Sequence, residues 1–168
     1  MSSKEHKKNA PEELTIGLIT VSTTRTAEDD KAGQWIKKQI AKEGHETVFY
    51  KVVPDDAEII TQIVLGALIK FAPHVLLLTG GTGISNKDVT IEAVRPLFKK
   101  ELTSFGPIFA QLSFEEIDSA ALLSRATAGI ARNTAIFCMP GSINACKLAC
   151  KALIFPEIGH LIKHIKES

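Results

Sequence analysis

The sequence predicts an α/β protein of three layers, α/β/α, in which a mostly parallel sheet lies between helices. Strand-like and helix-like segments alternate from residue 14 to residue 79. Residues 75–78 are apolar at every position, as expected of a central strand that is covered on both faces. This alternation implies parallel strands joined by right-handed crossovers. The chain has 168 residues, enough for one domain, which we assign to residues 14–168.

The first half of the chain has the order βαβαβ. Gly44 ends the first predicted helix, and Pro54 ends the second predicted strand. Asp55 and Glu58 have the spacing of a capping box at the start of the next helix. The predicted elements are strands at residues 14–21, 47–53 and 75–79, and helices at residues 30–43 and from residue 55 onward.

The second half is less regular. The apolar residues between positions 102 and 116 surround Gly106 and Pro107 and indicate no single type of element. Pro156 predicts a break before a short last helix. The predicted elements are a helix at residues 90–100, extended segments at residues 122–130 and 134–139, and a helix at residues 143–154.

Composition restricts the possible partners. Twenty basic and nineteen acidic residues leave a formal charge of +1, which argues against a nucleic-acid partner. No apolar run approaches the roughly 20 residues that span a bilayer, so we expect no membrane partner. Residues 1–13 are polar, lack the apolar centre of a secretory signal and are interpreted as a mobile tail, which favours a cytoplasmic location. The spacing of Cys146 and Cys150 predicts buried positions on a helix.

A glycine-rich loop follows the apolar strand and carries the main functional signal. Gly80, Gly81 and Gly83 allow backbone N–H groups to approach an anion, and a helix is predicted to begin behind them. The spacing fits neither the dinucleotide fingerprint nor the P-loop, because Asn86 replaces the third glycine and no hydroxyl follows Lys87. A phosphate site is one interpretation. A tight turn in which Thr90 caps the helix is the other.

Parallel strands deliver their carboxyl ends to one edge of the sheet, where loops distant in sequence meet. The loops at residues 22–25, 54–56, 80–88 and 140–142 supply hydroxyls, backbone donors, cations and carboxylates. Mg²⁺ is usually held by one or two carboxylates and phosphate oxygens, a role that Asp55 and Asp88 can share while Arg25 and Lys87 neutralise phosphate. Taken singly, Asp55 or Asp56 can instead cap a helix and Asp88 can stabilise its turn.

Several motifs resemble those of molybdenum-cofactor biosynthesis proteins of the MoaB/MogA type. The glycine loop carries Thr79-Gly80-Gly81-Thr82-Gly83, then Lys87-Asp88-Val89-Thr90 and Glu92-Ala93. Similar motifs outside the loop are Thr20-Val21-Ser22, Glu28-Asp29-Asp30, Pro54-Asp55-Asp56, Leu123-Ser124-Arg125-Ala126 and Met139-Pro140-Gly141-Ser142. The segment Leu112-Ser113-Phe114-Glu115-Glu116-Ile117 is most similar to the MoaB branch.

The resemblance implies the molybdopterin-binding, MogA-like fold and adenylyl transfer from Mg-ATP to the terminal phosphate of molybdopterin, with release of pyrophosphate. It implies that Asp55 and Asp88 are catalytic and bind magnesium. It also implies a homotrimer or homohexamer and, as a further partner, a molybdate-insertion protein. The residues that it assigns to substrate and nucleotide binding are Ser22, Thr23, Arg25, Gly80, Gly81, Thr82, Gly83, Ser85, Lys87, Thr90, Glu92, Ser124, Arg125, Pro140, Gly141 and Ser142.

Two positions depart from the family pattern. Lys87 stands where many relatives have arginine, so the charge is kept but the bidentate fork is lost. Ile91 stands where a proline often begins the helix. The presence of Asp55 favours a catalytic member of the family. A non-catalytic molybdopterin-binding or scaffolding member, and a general nucleotide hydrolase, remain the alternatives.

Overall fold

The computed structural model describes residues 13–167. The predicted tail therefore lies outside the described residues except for its last position, Glu13. The βαβαβ order of the first half is confirmed. Its elements are β1 (Thr15–Val21), α1 (Lys31–Lys42), β2 (Glu46–Val53), α2 (Ala57–Lys70) and β3 (Val75–Thr79).

The second half contains one helix that the sequence did not indicate. Residues 105–117 form a regular helix despite Gly106 and Pro107, because proline is tolerated in the first turn of a helix. The elements are α3 (Thr90–Val94) with a 3₁₀ turn (Arg95–Leu97), β4 (Lys100–Glu101), α4 (Phe105–Ile117) with a 3₁₀ turn (Asp118–Leu123), β5 (Thr127–Ala131), β6 (Thr134–Met139), α5 (Ile143–Leu148), a π-helical turn (Ala149–Ile154) and α6 (Phe155–Lys166).

The six strands form one mostly parallel sheet with the order β2-β1-β3-β6-β5-β4. Strands β2, β1, β3 and β6 run parallel, and β3 lies in the centre with all five of its residues buried. Toward the other edge, β5 is antiparallel to both of its neighbours, β6 and β4. The connection from β5 to β6 is a tight turn in which Arg132 has a φ of 54°, and such a short connection can join only antiparallel strands.

Two apolar clusters cover the two faces of the sheet, which confirms the three-layer prediction. Alternate residues of one strand point to opposite faces, so Leu77 belongs to one cluster while Leu76 and Leu78 belong to the other. Helices α1, α4, α5 and α6 pack on the first face, and α2 and α3 pack on the second. Within residues 13–167, no helix is long and apolar enough to cross a bilayer.

Three predicted boundaries were wrong. The helix at 90–100 ends at Val94, because Pro96 lacks the N–H that a bond to the carbonyl four residues back requires. The extended segment at 122–130 becomes a strand only at Thr127, since a 3₁₀ turn occupies residues 118–123. Pro156 does not break the helix, because the π-helical turn leads directly into α6 and places Pro156 in its first turn.

The structure decides between Asp55 and Asp56 as the cap of α2. Asp56, and not Asp55, occupies the N-cap position, where its carboxylate accepts a hydrogen bond of 2.9 Å from the Ile59 N–H. The side chain of Asp55 is therefore not used by the helix. It turns instead toward the loop after β1, where it becomes part of the site described next.

Candidate active site

A cleft of about 340 Å³ lies at the carboxyl ends of the parallel strands. Segments from five places in the sequence meet in it, and Asp55 and Asp88 both contribute to its wall. The residues that line it are Val21, Ser22, Thr24, Arg25, Asp55, Gly80, Gly81, Thr82, Gly83, Asp88, Leu123, Ser124, Pro140 and Gly141. Eleven of the predicted site residues are in this lining: Ser22, Arg25, Asp55, Gly80, Gly81, Thr82, Gly83, Asp88, Ser124, Pro140 and Gly141.

Glycine is required at the start of the loop after β3. Gly80 and Gly81 have φ angles of 95° and 66°, in the left-handed region that disfavours other residues. A Cβ at Gly80 would lie within 3.0 Å of the Val21 carbonyl oxygen, and one at Gly81 would lie as close to Thr90 Oγ1. The loop therefore packs directly on the end of β1 and on the start of α3.

Thr90 holds this loop closed and does not cap α3. Val89 is at the N-cap and makes no side-chain capping bond, so the predicted cap was wrong. The Thr90 hydroxyl donates to the Gly80 carbonyl over 2.8 Å, and the Thr90 N–H donates to the Gly81 carbonyl over 2.9 Å. Both bonds are local to the base of the loop, so Thr90 fixes the shape of the loop from beneath it.

The loop leaves backbone donors available to a ligand. Among residues 13–167, the structure records no hydrogen-bond partner for the N–H groups of Gly81 and Thr82, and both residues line the cleft. The Thr82 hydroxyl is buried and also has no partner there. Unpaired N–H groups beside a glycine-rich turn are suited to binding phosphate oxygens.

Asp55 is fixed by the loop that follows β1. Its Oδ2 accepts hydrogen bonds from the Thr23 N–H at 2.8 Å and from the Thr23 hydroxyl at 2.7 Å. Its Oδ1 lies on the side of Gly81, at 3.4 Å from the position that a Cβ on that glycine would occupy. One carboxylate oxygen is thus used for orientation, while the other faces the glycine loop.

Asp88 is fixed by its own loop. The Ser85 N–H donates to Asp88 Oδ2 over 2.9 Å. Hydrogen bonds from the Ser85 hydroxyl, and from the N–H groups of Ser85 and Gly83, hold the pKa of the Asp88 carboxyl below its ordinary value. The role of turn stabiliser and the position in the cleft therefore belong to the same carboxylate, which stays ionised at neutral pH.

Two predicted cations have different surroundings. Arg25 lines the cleft, and its Nη1 donates to the Gly141 carbonyl over 3.3 Å across two loops. Lys87 is exposed beside the cleft and does not line it, and its backbone N–H bonds to Ser85 Oγ. Arg25 therefore has a defined position in the wall, whereas the ammonium of Lys87 projects from the loop.

The other predicted site residues support the lining from outside it. Thr23 holds Asp55, Ser85 holds Asp88, and Thr90 closes the glycine loop. Ser142 caps α5 by accepting from the Ala145 N–H. Arg125 and Glu92 form an ion pair; neither residue lines the cleft, but Arg125 donates to the carbonyls of the lining residues Thr82 and Gly83.

Three lining residues were missed by the sequence interpretation. They are Val21, Thr24 and Leu123. Val21 belongs to the motif Thr20-Val21-Ser22 and Thr24 to the predicted loop at residues 22–25, but neither was predicted as a site residue. Leu123 is 57% exposed at the end of a 3₁₀ turn. It belongs to the motif Leu123-Ser124-Arg125-Ala126, from which only Ser124 and Arg125 were predicted as site residues.

Known proteins resemble this chain over nearly its whole length. A family model described as a probable molybdopterin binding domain matches residues 17–160. Molybdenum cofactor biosynthesis protein B of Bacillus subtilis is 46% identical over 168 residues, which cover 99% of each chain. Molybdopterin adenylyltransferase of Pyrococcus furiosus is 44% identical over 173 residues, which cover 99% of this chain and 100% of the relative.

A solved structure has the same fold. A crystal structure of molybdenum cofactor biosynthesis protein B superposes with a TM-score of 0.91 at 43% identity, covering 95% of this chain and 99% of that one. The family match, the full-length relatives and this superposition agree with the motifs in the loops. The chain therefore belongs to the molybdopterin-binding-domain family of molybdenum-cofactor biosynthesis proteins.

Proposed function

We propose that this protein transfers the adenylyl group of ATP to the terminal phosphate of molybdopterin. An oxygen of that phosphate attacks the α-phosphorus of ATP, the new P–O bond forms, and the bond to the bridging oxygen breaks so that its electron pair leaves with pyrophosphate. The observation that carries this proposal is the position of Asp55 and Asp88 in one cleft with the glycine loop. The full-length relative named as a molybdopterin adenylyltransferase supports it.

Magnesium fits the donor set of the cleft. The two carboxylates are the acidic groups in its lining, and residues 13–167 contain no group of three or more His, Cys, Asp or Glu side chains suited to a metal. Mg²⁺ commonly binds through one or two carboxylates, with phosphate oxygens and water as its other ligands. Asp55 through Oδ1 and Asp88 would hold the ion, which neutralises charge on the phosphates when it is bound.

The remaining groups orient and neutralise the phosphates. The N–H groups of Gly81 and Thr82 are available as donors, and Arg25 supplies a fixed cation in the wall. Lys87 provides a second positive charge beside the cleft. Phosphoryl-type transfer depends mainly on positioning and charge stabilisation, so this chain needs no covalent nucleophile.

The direct test is incubation with molybdopterin and ATP labelled at the α-phosphate, with magnesium present, followed by detection of adenylylated molybdopterin. Asp88→Asn should lower transfer on the order of 10²-fold or more, because it removes a charge at the reacting phosphates. Asp56→Asn is the matched control, since it makes the same change next to Asp55 while asparagine retains the helix cap. We expect that control to keep full activity.

Two results would reject the assignment. Molybdopterin binding by the native protein without any AMP transfer would make it a non-catalytic binding or scaffolding member. Release of pyrophosphate or phosphate from Mg-ATP in the absence of molybdopterin would make it a general hydrolase. Equal transfer by native protein and the Asp88→Asn variant would remove Asp88 from the reaction.

We also propose a homotrimer or homohexamer. Helix α4 directs Phe105 and Phe109 into the core but leaves large apolar side chains uncovered on its other face and in the 3₁₀ turn that follows. These exposed residues are Ile108, Phe114, Ile117, Leu122 and Leu123. An apolar surface of this kind is typical of an interface between copies. Light scattering at micromolar concentration tests this, and a monomer would contradict it.

A further inference from the structure

Arg125 holds the glycine loop by hydrogen bonds to its carbonyls and is not itself among the residues that line the cleft. It lies between the 3₁₀ turn at residues 118–123 and β5, more than 40 positions along the chain from Thr82 and Gly83. Its Nε donates to the Thr82 carbonyl at 3.1 Å and to the Gly83 carbonyl at 2.9 Å. Its Nη2 approaches the Asp88 carbonyl at 3.4 Å. One guanidinium thus contacts both ends of the loop segment that carries Asp88.

Glu92 orients this guanidinium. Its two carboxylate oxygens accept from Nη1 and Nη2 of Arg125, so the pair is bidentate. The hydrogen bond from Arg125 lowers the pKa of Glu92, and the ion pair is therefore complete at neutral pH. Most of the five N–H donors of Arg125 are used by Glu92 and by the loop carbonyls, which leaves little of the side chain for a substrate.

The planarity of the peptide bond transmits this contact to Asp88. In a trans peptide the C=O and the following N–H point in opposite directions. Because the Thr82 carbonyl points to Arg125, the Gly83 N–H points away from it, and this N–H is one of the donors to the Asp88 carboxylate. Arg125 therefore determines which face of the loop presents its N–H groups.

We propose that Arg125 is a positioning residue, held by Glu92, that orients the glycine loop and through it the Asp88 carboxylate. Its role in the reaction rests on the adenylyl transfer proposed above. Arg125 acts on the loop and does not bind the substrate phosphates. A lysine at this position keeps the charge but cannot reproduce the planar fork that contacts three carbonyls and a carboxylate together.

The variants for the test are Arg125→Lys and Glu92→Gln, the second of which keeps the arginine and weakens its orientation. Arg95→Lys is the matched control, because Arg95 pairs with Glu101 at 3.0 Å near the same helix and makes no recorded contact with the glycine loop. All proteins are compared as the full chain after thermal unfolding has shown that each is folded.

The first measurement is amide hydrogen exchange without substrates. Arg125→Lys should speed exchange at Gly83 and Ser85 by roughly tenfold or more, Glu92→Gln should have a smaller effect in the same direction, and the control should match the native protein. Native exchange rates in both test variants would overturn the proposal. This measurement needs no activity, so it decides the role of Arg125 in the loop even where the native protein transfers no AMP.

The second measurement is steady-state kinetics. A displaced Asp88 should reduce kcat on the order of 10- to 10²-fold in Arg125→Lys, while KM for ATP changes by less than about threefold. A raised KM with an unchanged kcat would assign Arg125 to direct substrate binding and overturn the positioning role. Absence of transfer by the native protein would reject the adenylyl-transfer proposal, and the two failures are therefore distinguishable.

Discussion

Replacing Gly81 by alanine tests the packing of the glycine loop quantitatively. Gly81 has a φ of 66°, a conformation that costs an L-residue about 1–2 kcal/mol. The new methyl group would also lie within 3.0 Å of Thr90 Oγ1, so Thr90 must move and its buried hydrogen bond to the Gly80 carbonyl must break. Loss of such a bond costs about 1–3 kcal/mol. We therefore expect Gly81→Ala to lower the free energy of unfolding by roughly 2–5 kcal/mol.

Alanine variants at two other glycines separate the cost of the positive φ from the cost of the steric contact with Thr90. Gly44 also has a positive φ, 82°, but a Cβ there would meet nothing within 4 Å, so Gly44→Ala should show the conformational cost alone. Gly66 lies inside α2 with open space around it, and Gly66→Ala should stabilise the protein by about 0.5–1 kcal/mol.

Urea unfolding at one fixed protein concentration measures all three variants, because self-association makes apparent stability depend on concentration. The expected order of stability is Gly66→Ala, native, Gly44→Ala, Gly81→Ala. If Gly81→Ala and Gly44→Ala lose the same free energy, the steric argument is wrong, and the loop does not pack on Thr90 as described.

Two further predictions concern ionisable groups. The pKa of Glu92 is lowered from 4.5 in the folded protein, mainly by the hydrogen bond from Arg125, so its ion pair stabilises the fold above about pH 4.5 and ceases to do so as the pH falls through the lower folded pKa. Glu92→Gln should therefore lower the free energy of unfolding at pH 7 but have little effect at the acid end of a urea-unfolding series. An equal loss at both ends of the pH series would contradict this prediction. Burial raises the pKa of Cys138 to about 12 and that of Cys146 to about 11, and the third cysteine is buried as well. Iodoacetamide at pH 8 should therefore label no thiol in the folded chain and all three after unfolding, as counted by mass spectrometry. Labelling of the folded chain would contradict the burial of the labelled cysteine.

The sequence predicted the residues that line the cleft better than the contacts that hold those residues in place. The glycines were recognisable because a positive φ is a local property, and the loops at the strand ends were grouped by a rule that holds for any parallel sheet. The choice between the adjacent Asp55 and Asp56 as helix cap was not predictable in this way. It depends on Thr23, which is 32 residues from Asp55 and donates hydrogen bonds to its carboxylate.

The amino-acid sequence alone was enough to predict the alternation of strands and helices, the turn at Gly80 and Gly81, and the presence of two aspartates in loops that follow strands. These features arise from side-chain periodicity and backbone conformation, which act over a few residues. The contact of Arg125 with the glycine loop, and the orientation of Asp55 toward it, became visible only in the folded chain. Those contacts join segments more than 25 residues apart, and their formation depends on how the helices pack on the sheet, which no local pattern records.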